Sequence, residues 1–229
     1  MLRSAELVPR SRDPGAGGAD ARVARFDLTE RAVHWTTAFI GMTLILTGAI
    51  LYVPSFSVAF GRRLLVEDLH LYIGLCVFAP TVLAAATRAG RQLRRDLSQM
   101  NRMTAEEGSW LLSGGRRGRK AVGKFNPGQK LNTYALGSLL AVLLGTGIVL
   151  RWGNSFPVGI RTGATFVHDL GAFAFAGLVL GHIGFALTHP VALRSMVTGW
   201  VPRRWLARHA PSWVADEPTH RSPTKEATQ

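Results

Sequence analysis

The sequence predicts an all-α protein, a bundle of four helices that crosses a membrane. Of its 229 residues, 47% are hydrophobic, although the formal net charge is +13. The charges leave four stretches of about twenty residues that contain no Asp, Glu, Lys or Arg, and a helix of that length spans a hydrocarbon core of about 30 Å. Helix is the expected form, because a bilayer offers no partners to exposed backbone groups.

The predicted spans end where a membrane helix is expected to end. The first stops at Pro54 and the last before Pro190, because proline lacks the backbone N–H that a helix needs. The second and third stop at Arg88 and Arg151, since charges are costly at membrane depth. The four predicted spans are residues 34–53, 69–87, 131–150 and 165–188.

We expect one folded domain, residues 25–214, that contains all four spans. Residues 1–24 are predicted to form a disordered cytoplasmic extension, because they mix charges with glycine and lack the apolar core of a signal peptide. Residues 215–229 are rich in Pro, Thr and charge and are predicted to form a disordered cytoplasmic tail.

The basic residues predict the orientation of the bundle. All but four of the 27 Lys and Arg residues lie at or before Arg31, between Arg88 and Lys130, or after His189. These are alternate connections, so the positive-inside rule places the N-terminus, the 88–130 connection and the C-terminus in the cytoplasm. A nucleic-acid partner, which a pI of about 11.4 could otherwise suggest, is not expected, because the basic excess follows the topology of a protein in a lipid bilayer.

The single cysteine, Cys76, lies within the second span. One cysteine cannot form a disulfide or a thiolate cluster within the chain, and the sequence contains no Cys-x-x-Cys-His motif for covalent haem attachment. The chemistry of the chain must therefore depend on other side chains.

Histidines are the ionisable residues that recur in the spans. Four of the seven lie in the spans or at their edges: His34, His70, His168 and His182. A single histidine at this depth can be a hydrogen-bonded packing residue, or can relay protons. His168 and His182, however, are fourteen residues apart, so on one helix they share a face to within about 40° and lie about 21 Å apart along its axis.

The topology supplies a partner at each depth. His34 opens the first span on the inner side, level with His182, and His70 opens the second on the outer side, level with His168. Two pairs of neutral imidazoles in an apolar bundle suit two b-type haems, with His34 and His182 on the inner iron and His70 and His168 on the outer iron. Zinc would require more ligands at one depth, and only Asp169 adjoins either pair. The alternative to a haem protein is a protein of a different functional class, a haem-free membrane anchor or a transporter whose histidines relay protons.

Several motifs lie between Arg25 and Val214. They are Arg25-Phe26-Asp27 with Arg31 and His34-Trp35, Leu69-His70, Gly-Lys-Phe-Asn-Pro-Gly-Gln-Lys at 123–130, Phe166-Val167-His168, Gly181-His182 and Trp205-x-x-x-His209-x-Pro211-x-Trp213. With these motifs the sequence resembles the gamma subunit, the cytochrome b, of respiratory formate dehydrogenases. The 123–130 stretch is the most specific. The histidine pattern alone is shared with cytochromes of nickel–iron hydrogenases and thiosulfate reductases, which are the alternative assignments.

The resemblance gives the turn before the third span a role. In the family, the residues that match Asn126, Gly128 and Gln129 belong to a menaquinone pocket near the inner haem, and amide side chains can hydrogen bond to a quinone carbonyl. Pro127 departs from the alanine that similar proteins often have. The residues alone also allow a simpler interpretation, in which Asn126 caps the third helix and Pro127 is its first residue.

The resemblance also implies a function and partners. Electrons would enter at the outer haem from an iron–sulfur subunit, cross to the inner haem and reduce menaquinone, with protons taken from the cytoplasm. Formate would be oxidised in a separate molybdenum or tungsten subunit, since this chain lacks the motifs for it. The membrane would be the bacterial cytoplasmic, or inner, membrane. Lys124 and Lys130 are expected to favour the negative charge that the quinone gains.

Overall fold

The computed structural model describes residues 21–215. The predicted disordered segments, 1–24 and 215–229, lie outside the described residues except for residues 21–24 and Ala215. Arg22–Ala24 form a strand, so the folded domain begins ahead of the predicted residue 25.

Within the described residues, four helices are long and apolar enough to cross a membrane. They are Leu28–Tyr52, Arg63–Ala86, Pro127–Arg151 and Val158–Leu187. The predicted all-α, four-helix transmembrane fold is therefore confirmed, and the chain is a multi-pass membrane protein.

Helix α1 (Leu28–Tyr52) begins ahead of the predicted start at residue 34. Asp27 and Glu30 form a capping box, in which each side chain accepts a hydrogen bond of 2.8 Å from the other residue's backbone N–H. These carboxylates satisfy donors that would otherwise be unpaired and extend the helix beyond its apolar part. His34 consequently lies about two turns inside the helix instead of at its end.

The second membrane crossing is interrupted. After the short helix α2 (Pro54–Phe60) it consists of α3 (Arg63–Leu75) and α4 (Ala79–Ala86). Pro80, in the first turn of α4, cannot donate to the carbonyl of Cys76, and its ring crowds that carbonyl. The backbone tightens there, and the N–H of Ala79 donates to the Cys76 carbonyl at 2.9 Å.

The remaining crossings are α7 (Pro127–Arg151) and α8 (Val158–Leu187), joined by a 3₁₀ turn at Gly153–Ser155. Helix α1 packs mainly on α3, and α7 packs mainly on α8. The bundle therefore consists of two hairpins: the first hairpin is α1 with α3 and α4, and the second hairpin is α7 with α8. Contacts between the two hairpins are fewer than contacts between the helices of one hairpin.

The basic connection between the hairpins is largely helical. It contains α5 (Arg91–Met100), α6 (Ala105–Leu112) and a 3₁₀ turn at Arg119–Ala121. Helix α5 is amphipathic: it buries Leu93 and exposes all three of its arginines. The arginines of α5 thus lie on the solvent side of a packed helix.

Elements from both ends of the described chain meet at one end of the bundle. Strand β1 (Arg22–Ala24) pairs antiparallel with β2 (Trp200–Pro202), which follows α9 (Pro190–Thr198) and precedes α10 (Arg203–His209) and α11 (Pro211–Ala215). We call this end, where α1 and α7 begin and α8 ends, the capped end. Its buried apolar cluster consists of Val201, Leu206 and Ala210.

A buried group of charges joins three elements at the capped end. The ammonium of Lys124 donates to Glu30 of α1 at 2.7 Å and to Asp96 of α5. The guanidinium of Arg25 donates to the Lys124 carbonyl at 3.1 Å, and burial lowers the pKa of Arg25 to about 10. All four residues are nine-tenths or more buried, and two cations balance two anions.

A second buried ion pair attaches α6 to the start of α7. The ammonium of Lys130 donates to Glu107 of α6 at 2.6 Å and to the Arg102 carbonyl at 2.8 Å. The ammonium groups of Lys124, before α7, and Lys130, in its first turns, therefore both form ion pairs with residues of other helices.

We expect Lys124→Met to destabilise the protein strongly. Removing Lys124 leaves the two buried carboxylates of Glu30 and Asp96 with Arg25 as the one remaining cation of this group, which costs about 3–5 kcal/mol of unfolding free energy. Denaturant titration in mixed micelles, followed by circular dichroism, measures the loss. The matched control is Lys120→Met, because Lys120 is exposed. Equal stability of the two variants would contradict a structural role for Lys124.

Candidate cofactor sites between the helix hairpins

The structure brings the four membrane histidines together in two pairs. The ring centroids of His34 on α1 and His182 on α8 are 6.2 Å apart, with planes at 61°. Those of His70 on α3 and His168 on α8 are 6.3 Å apart, with planes at 68°. We call these the inner pair and the outer pair, after the side of the membrane that the sequence predicts for each. Each pair takes one ring from the first hairpin and one from the second, so both lie where the hairpins face each other.

The ring spacings suit a single metal ion within each pair. Two imidazole nitrogens that bind one metal from opposite sides each lie about 2.0–2.1 Å from it, which puts their ring centroids roughly 6.3 Å apart. In the described part of the chain, no group of three or more His, Cys, Asp or Glu residues is placed to hold a metal ion. Two protein ligands suit a metal whose other positions are filled by a macrocycle, as in haem.

One face of α8 carries one histidine of each pair because of its residue spacing. Ala164, Gly171 and Phe175 are the buried residues of this helix, and with His168 and His182 they recur at intervals that keep them on one side. Phe175, midway between the two histidines in sequence, lies against Gly41 of α1, where an added Cβ would be 3.5 Å from the ring. An aromatic side chain thus separates the inner and outer levels, which are about 21 Å apart along the helix.

Threonine hydroxyls contact both rings of the outer pair. The hydroxyl oxygen of Thr47 on α1 is 2.8 Å from Nδ1 of His70. The hydroxyl oxygen of Thr146 on α7 is 2.9 Å from Nδ1 of His168. Each threonine belongs to the helix that packs beside the histidine's own helix. Neither threonine was predicted from the sequence.

A repeated dipeptide could have revealed them. Thr47-Gly48 lies 23 residues before His70, counted from the threonine, and Thr146-Gly147 lies 22 residues before His168. The glycines leave room for the rings: an added Cβ would be 3.5 Å from Cε1 of His70 at the first site and 3.4 Å from Cε1 of His168 at the second.

The inner pair has different surroundings. His34 meets Trp35 edge to face with ring centroids 5.3 Å apart, and the indole N–H of Trp35 donates to the Met196 carbonyl at 3.0 Å. Between residues 21 and 215, no hydrogen bond to a ring nitrogen of His34 or His182 is present. In the described part of the chain, hydrogen bonds therefore orient the rings of the outer pair but not those of the inner pair.

The turn before α7 is a helix cap. Asn126 accepts a hydrogen bond of 2.8 Å from the Gln129 N–H, and Gln129 accepts one of 3.0 Å from the Asn126 N–H, with Pro127 as the first helical residue. The interpretation of this turn as a helix cap is thus confirmed. Both bonds use side-chain oxygens, so the NH₂ groups of the two amides take no part in the cap. Gly128 lies between them, near the ring of Trp110.

Lys124 and Lys130 do not supply the positive potential that the sequence suggested for this turn. Each ammonium is buried in an ion pair with a carboxylate. Their charge is therefore balanced locally, and that expectation was wrong because the sequence does not show which acidic residues fold against the turn.

The chain is similar in sequence to known membrane cytochromes. Residues 25–199 match the family described as prokaryotic cytochrome b561. The chain is 23% identical over 202 residues to the cytochrome b556(Fdn) subunit of the nitrate-inducible formate dehydrogenase of Escherichia coli strain K12, a match that covers 85% of this chain and 91% of that subunit. It is 25% identical over 205 residues to the formate dehydrogenase cytochrome b556 subunit of Haemophilus influenzae, covering 86% and 84%.

A third relative is the cytochrome b556(fdo) subunit of formate dehydrogenase from Escherichia coli strain K12, 27% identical over 208 residues and covering 85% of this chain and 92% of that subunit. These relatives confirm the resemblance to formate dehydrogenase cytochrome subunits that the motifs predicted. The family match includes both hairpins and all four membrane histidines. The chain therefore belongs to the prokaryotic cytochrome b561 family, which implies a b-type haem.

Proposed function

We propose that the chain is the dihaem cytochrome b subunit of a formate dehydrogenase. It transfers electrons from an iron–sulfur subunit on the outer side of the membrane to menaquinone on the cytoplasmic side. The observation that carries the proposal is the presence of two imidazole pairs at two depths, with ring spacings of 6.2 and 6.3 Å. A haem held by two imidazoles supplies reversible one-electron transfer.

The histidines and their surroundings have defined parts in this proposal. His34 and His182 hold the inner haem, and His70 and His168 hold the outer haem. Iron binds the neutral form of imidazole, in which one ring nitrogen keeps a lone pair. The large separation of the two levels along α8 lets one chain connect the two sides of the membrane.

The partners follow from what the chain lacks and from its relatives. Its one cysteine cannot build an iron–sulfur cluster, so formate is oxidised in a molybdenum or tungsten catalytic subunit and electrons arrive through an iron–sulfur subunit. The names of the relatives favour formate over hydrogen or thiosulfate chemistry. Purification of the complex in mild detergent separates these possibilities, and recovery of a nickel–iron hydrogenase would refute the assignment.

The capped end is proposed to face the cytoplasm of a bacterium, with the chain in the inner membrane and both termini inside. The capped end receives the connection between Arg88 and Lys130, which carries eleven basic residues, whereas the opposite end carries Arg62, Arg63, Arg151 and Arg161. The positive-inside rule favours this orientation.

Reporter fusions test the orientation. Alkaline phosphatase, which is active only outside the cytoplasm, should be inactive when fused after Arg116 and active when fused after Asn154, because the two positions belong to opposite ends of the bundle. The reverse pattern would place the capped end in the periplasm and invert the proposed direction of electron transfer.

Haem stoichiometry tests the ligand assignment. Purified protein should contain two haems b per chain, and alanine at either member of a pair should reduce the ratio to one. The double variant His70→Ala/His168→Ala should also retain one haem, because the inner pair is intact, whereas His34→Ala/His70→Ala should retain none. Haem extraction into alkaline pyridine measures the ratio.

His209→Ala is the matched control, because the His209 ring stacks on Trp205 with centroids 4.5 Å apart, away from both pairs. Two haems in a variant that lacks both members of one pair would refute the pairing. A colourless wild-type preparation would favour a haem-free anchor or proton relay.

The quinone site is proposed at the turn before α7, with Asn126, Gly128 and Gln129. The turn packs against the start of α1, where the Phe125 and Phe26 ring centroids are 6.1 Å apart, and so lies at the same end as the inner pair. The amide NH₂ groups outside the cap can donate to a quinone carbonyl. Protons for the reduced quinone come from the cytoplasm.

Two substitutions at Asn126 separate quinone binding from helix capping. Asn126→Ala removes the cap and the NH₂ donor together, whereas Asn126→Asp keeps a capping oxygen and loses only the donor. We expect both variants to retain two haems and to slow reoxidation of the haems by a menaquinone analogue roughly tenfold, the effect of losing one hydrogen bond of about 1.4 kcal/mol.

Stopped-flow spectroscopy measures the reoxidation rate, and Asn154→Asp at the opposite end of the bundle controls for added charge. If Asn126→Ala slows reoxidation but Asn126→Asp does not, the amide serves only as a cap. Unchanged reoxidation in both variants would move the quinone elsewhere.

A further inference from the structure

The two threonines of the outer pair have the same local geometry on different helices. The Thr47 hydroxyl oxygen lies 2.7 Å from the carbonyl oxygen of Thr43, four residues earlier. The Thr146 hydroxyl oxygen lies 2.8 Å from the carbonyl oxygen of Val142, also four residues earlier. Each hydroxyl therefore lies between a backbone carbonyl and the Nδ1 atom of a histidine on the neighbouring helix.

This geometry determines where the protons are. A carbonyl oxygen has no hydrogen, so an oxygen–oxygen distance of 2.7–2.8 Å requires the threonine to donate its only hydroxyl proton to the carbonyl. The hydroxyl can then only accept from the imidazole. Each ring must carry its proton on Nδ1, and in a neutral imidazole this leaves the lone pair on Nε2.

We propose that Thr47 and Thr146 are positioning residues that hold His70 and His168 in the Nδ1–H tautomer and present Nε2 of each ring to the outer haem iron. The inference rests on the proposed function, since it assigns the tautomer that iron binding needs. Thr47 and Thr146 thereby join the histidines as residues of the outer site, although neither contacts iron or substrate. The donor–acceptor chain from carbonyl to hydroxyl to imidazole is complete without water.

The two pairs then differ in how basic their imidazole ligands are, and therefore in the reduction potentials of the haems they hold. A ring that donates its second N–H to an acceptor is a more basic ligand, and a more basic ligand stabilises the ferric state. In the described residues the rings of the inner pair have no comparable acceptor within the protein. Loss of a threonine hydroxyl should therefore raise the reduction potential of the outer haem and leave that of the inner haem unchanged.

The test is a potentiometric titration of the purified complex with both haems resolved. Thr47→Val and Thr146→Val remove the hydroxyl with little change in shape. Thr47→Ser and Thr146→Ser retain it and should restore the wild-type value. Thr43→Val is the matched control, because the Thr43 hydroxyl donates to the Phe39 carbonyl at 2.9 Å in the same way and no contact between Thr43 and a histidine is present in the described chain.

We expect each valine variant to lower the ratio of ferric to ferrous outer haem, at a fixed applied potential, about threefold to tenfold, the range of one neutral hydrogen bond. A tenfold change corresponds to about 59 mV for a one-electron couple. The low-spin ferric resonance of the outer haem should shift as well, because the ring is free to rotate. Complete loss of the outer haem in a valine variant, with recovery in the serine variant, supports the same role.

Several results would overturn the inference. They are unchanged outer potentials in both valine variants, an equal shift in Thr43→Val, or failure of serine to restore the wild-type value. Absence of haem from the wild-type protein would instead refute the proposed function, and this inference with it. The two failures are thus distinguished by the haem content of the unsubstituted chain.

Discussion

Four imidazoles held at membrane depth are the constraint on which the rest of the molecule depends. A polar ring in an apolar bundle costs free energy unless it is hydrogen bonded or bound to a metal. The chain meets this requirement by pairing rings across the boundary between its hairpins, at 6.2 and 6.3 Å, and by giving the outer rings threonine partners. The helices pack closely within each hairpin and more loosely between the hairpins. This leaves space between the hairpins for groups bound by the paired rings.

The capped end keeps the two hairpins in register. Glu30 precedes His34 by one helical turn, so its ion pair with Lys124 ties the start of α1 to the residues that lead into α7. The antiparallel pairing of β1 with β2 ties the same start to the segment that follows α8. Charged and backbone contacts at the capped end thus hold the start of α1, the helix that carries His34, against the neighbouring elements.

The fold class and the histidine pairs could be predicted from the sequence because both depend on short-range pattern and helix geometry. The four long helices begin ahead of the predicted membrane spans, and at α1 and α7 polar caps, Asp27 and Asn126, extend the helix beyond its apolar segment. The break at Cys76 is explained by Pro80, a signal the sequence contained and the prediction overlooked. The threonine contacts were missed although the Thr-Gly dipeptide recurs at nearly the same distance before His70 and His168. Lys124 with Asp96 and β1 with β2 join residues far apart in the chain, and no local pattern identifies such partners.

The proposed function requires one iron between the two rings of each histidine pair. Anomalous diffraction from crystals of the purified complex, collected at the iron absorption edge, locates the iron atoms. We expect two iron peaks within this chain, one between the rings of His34 and His182 and one between those of His70 and His168, about 21 Å apart along α8. A single peak, or iron away from these rings, would refute the assignment of the pairs.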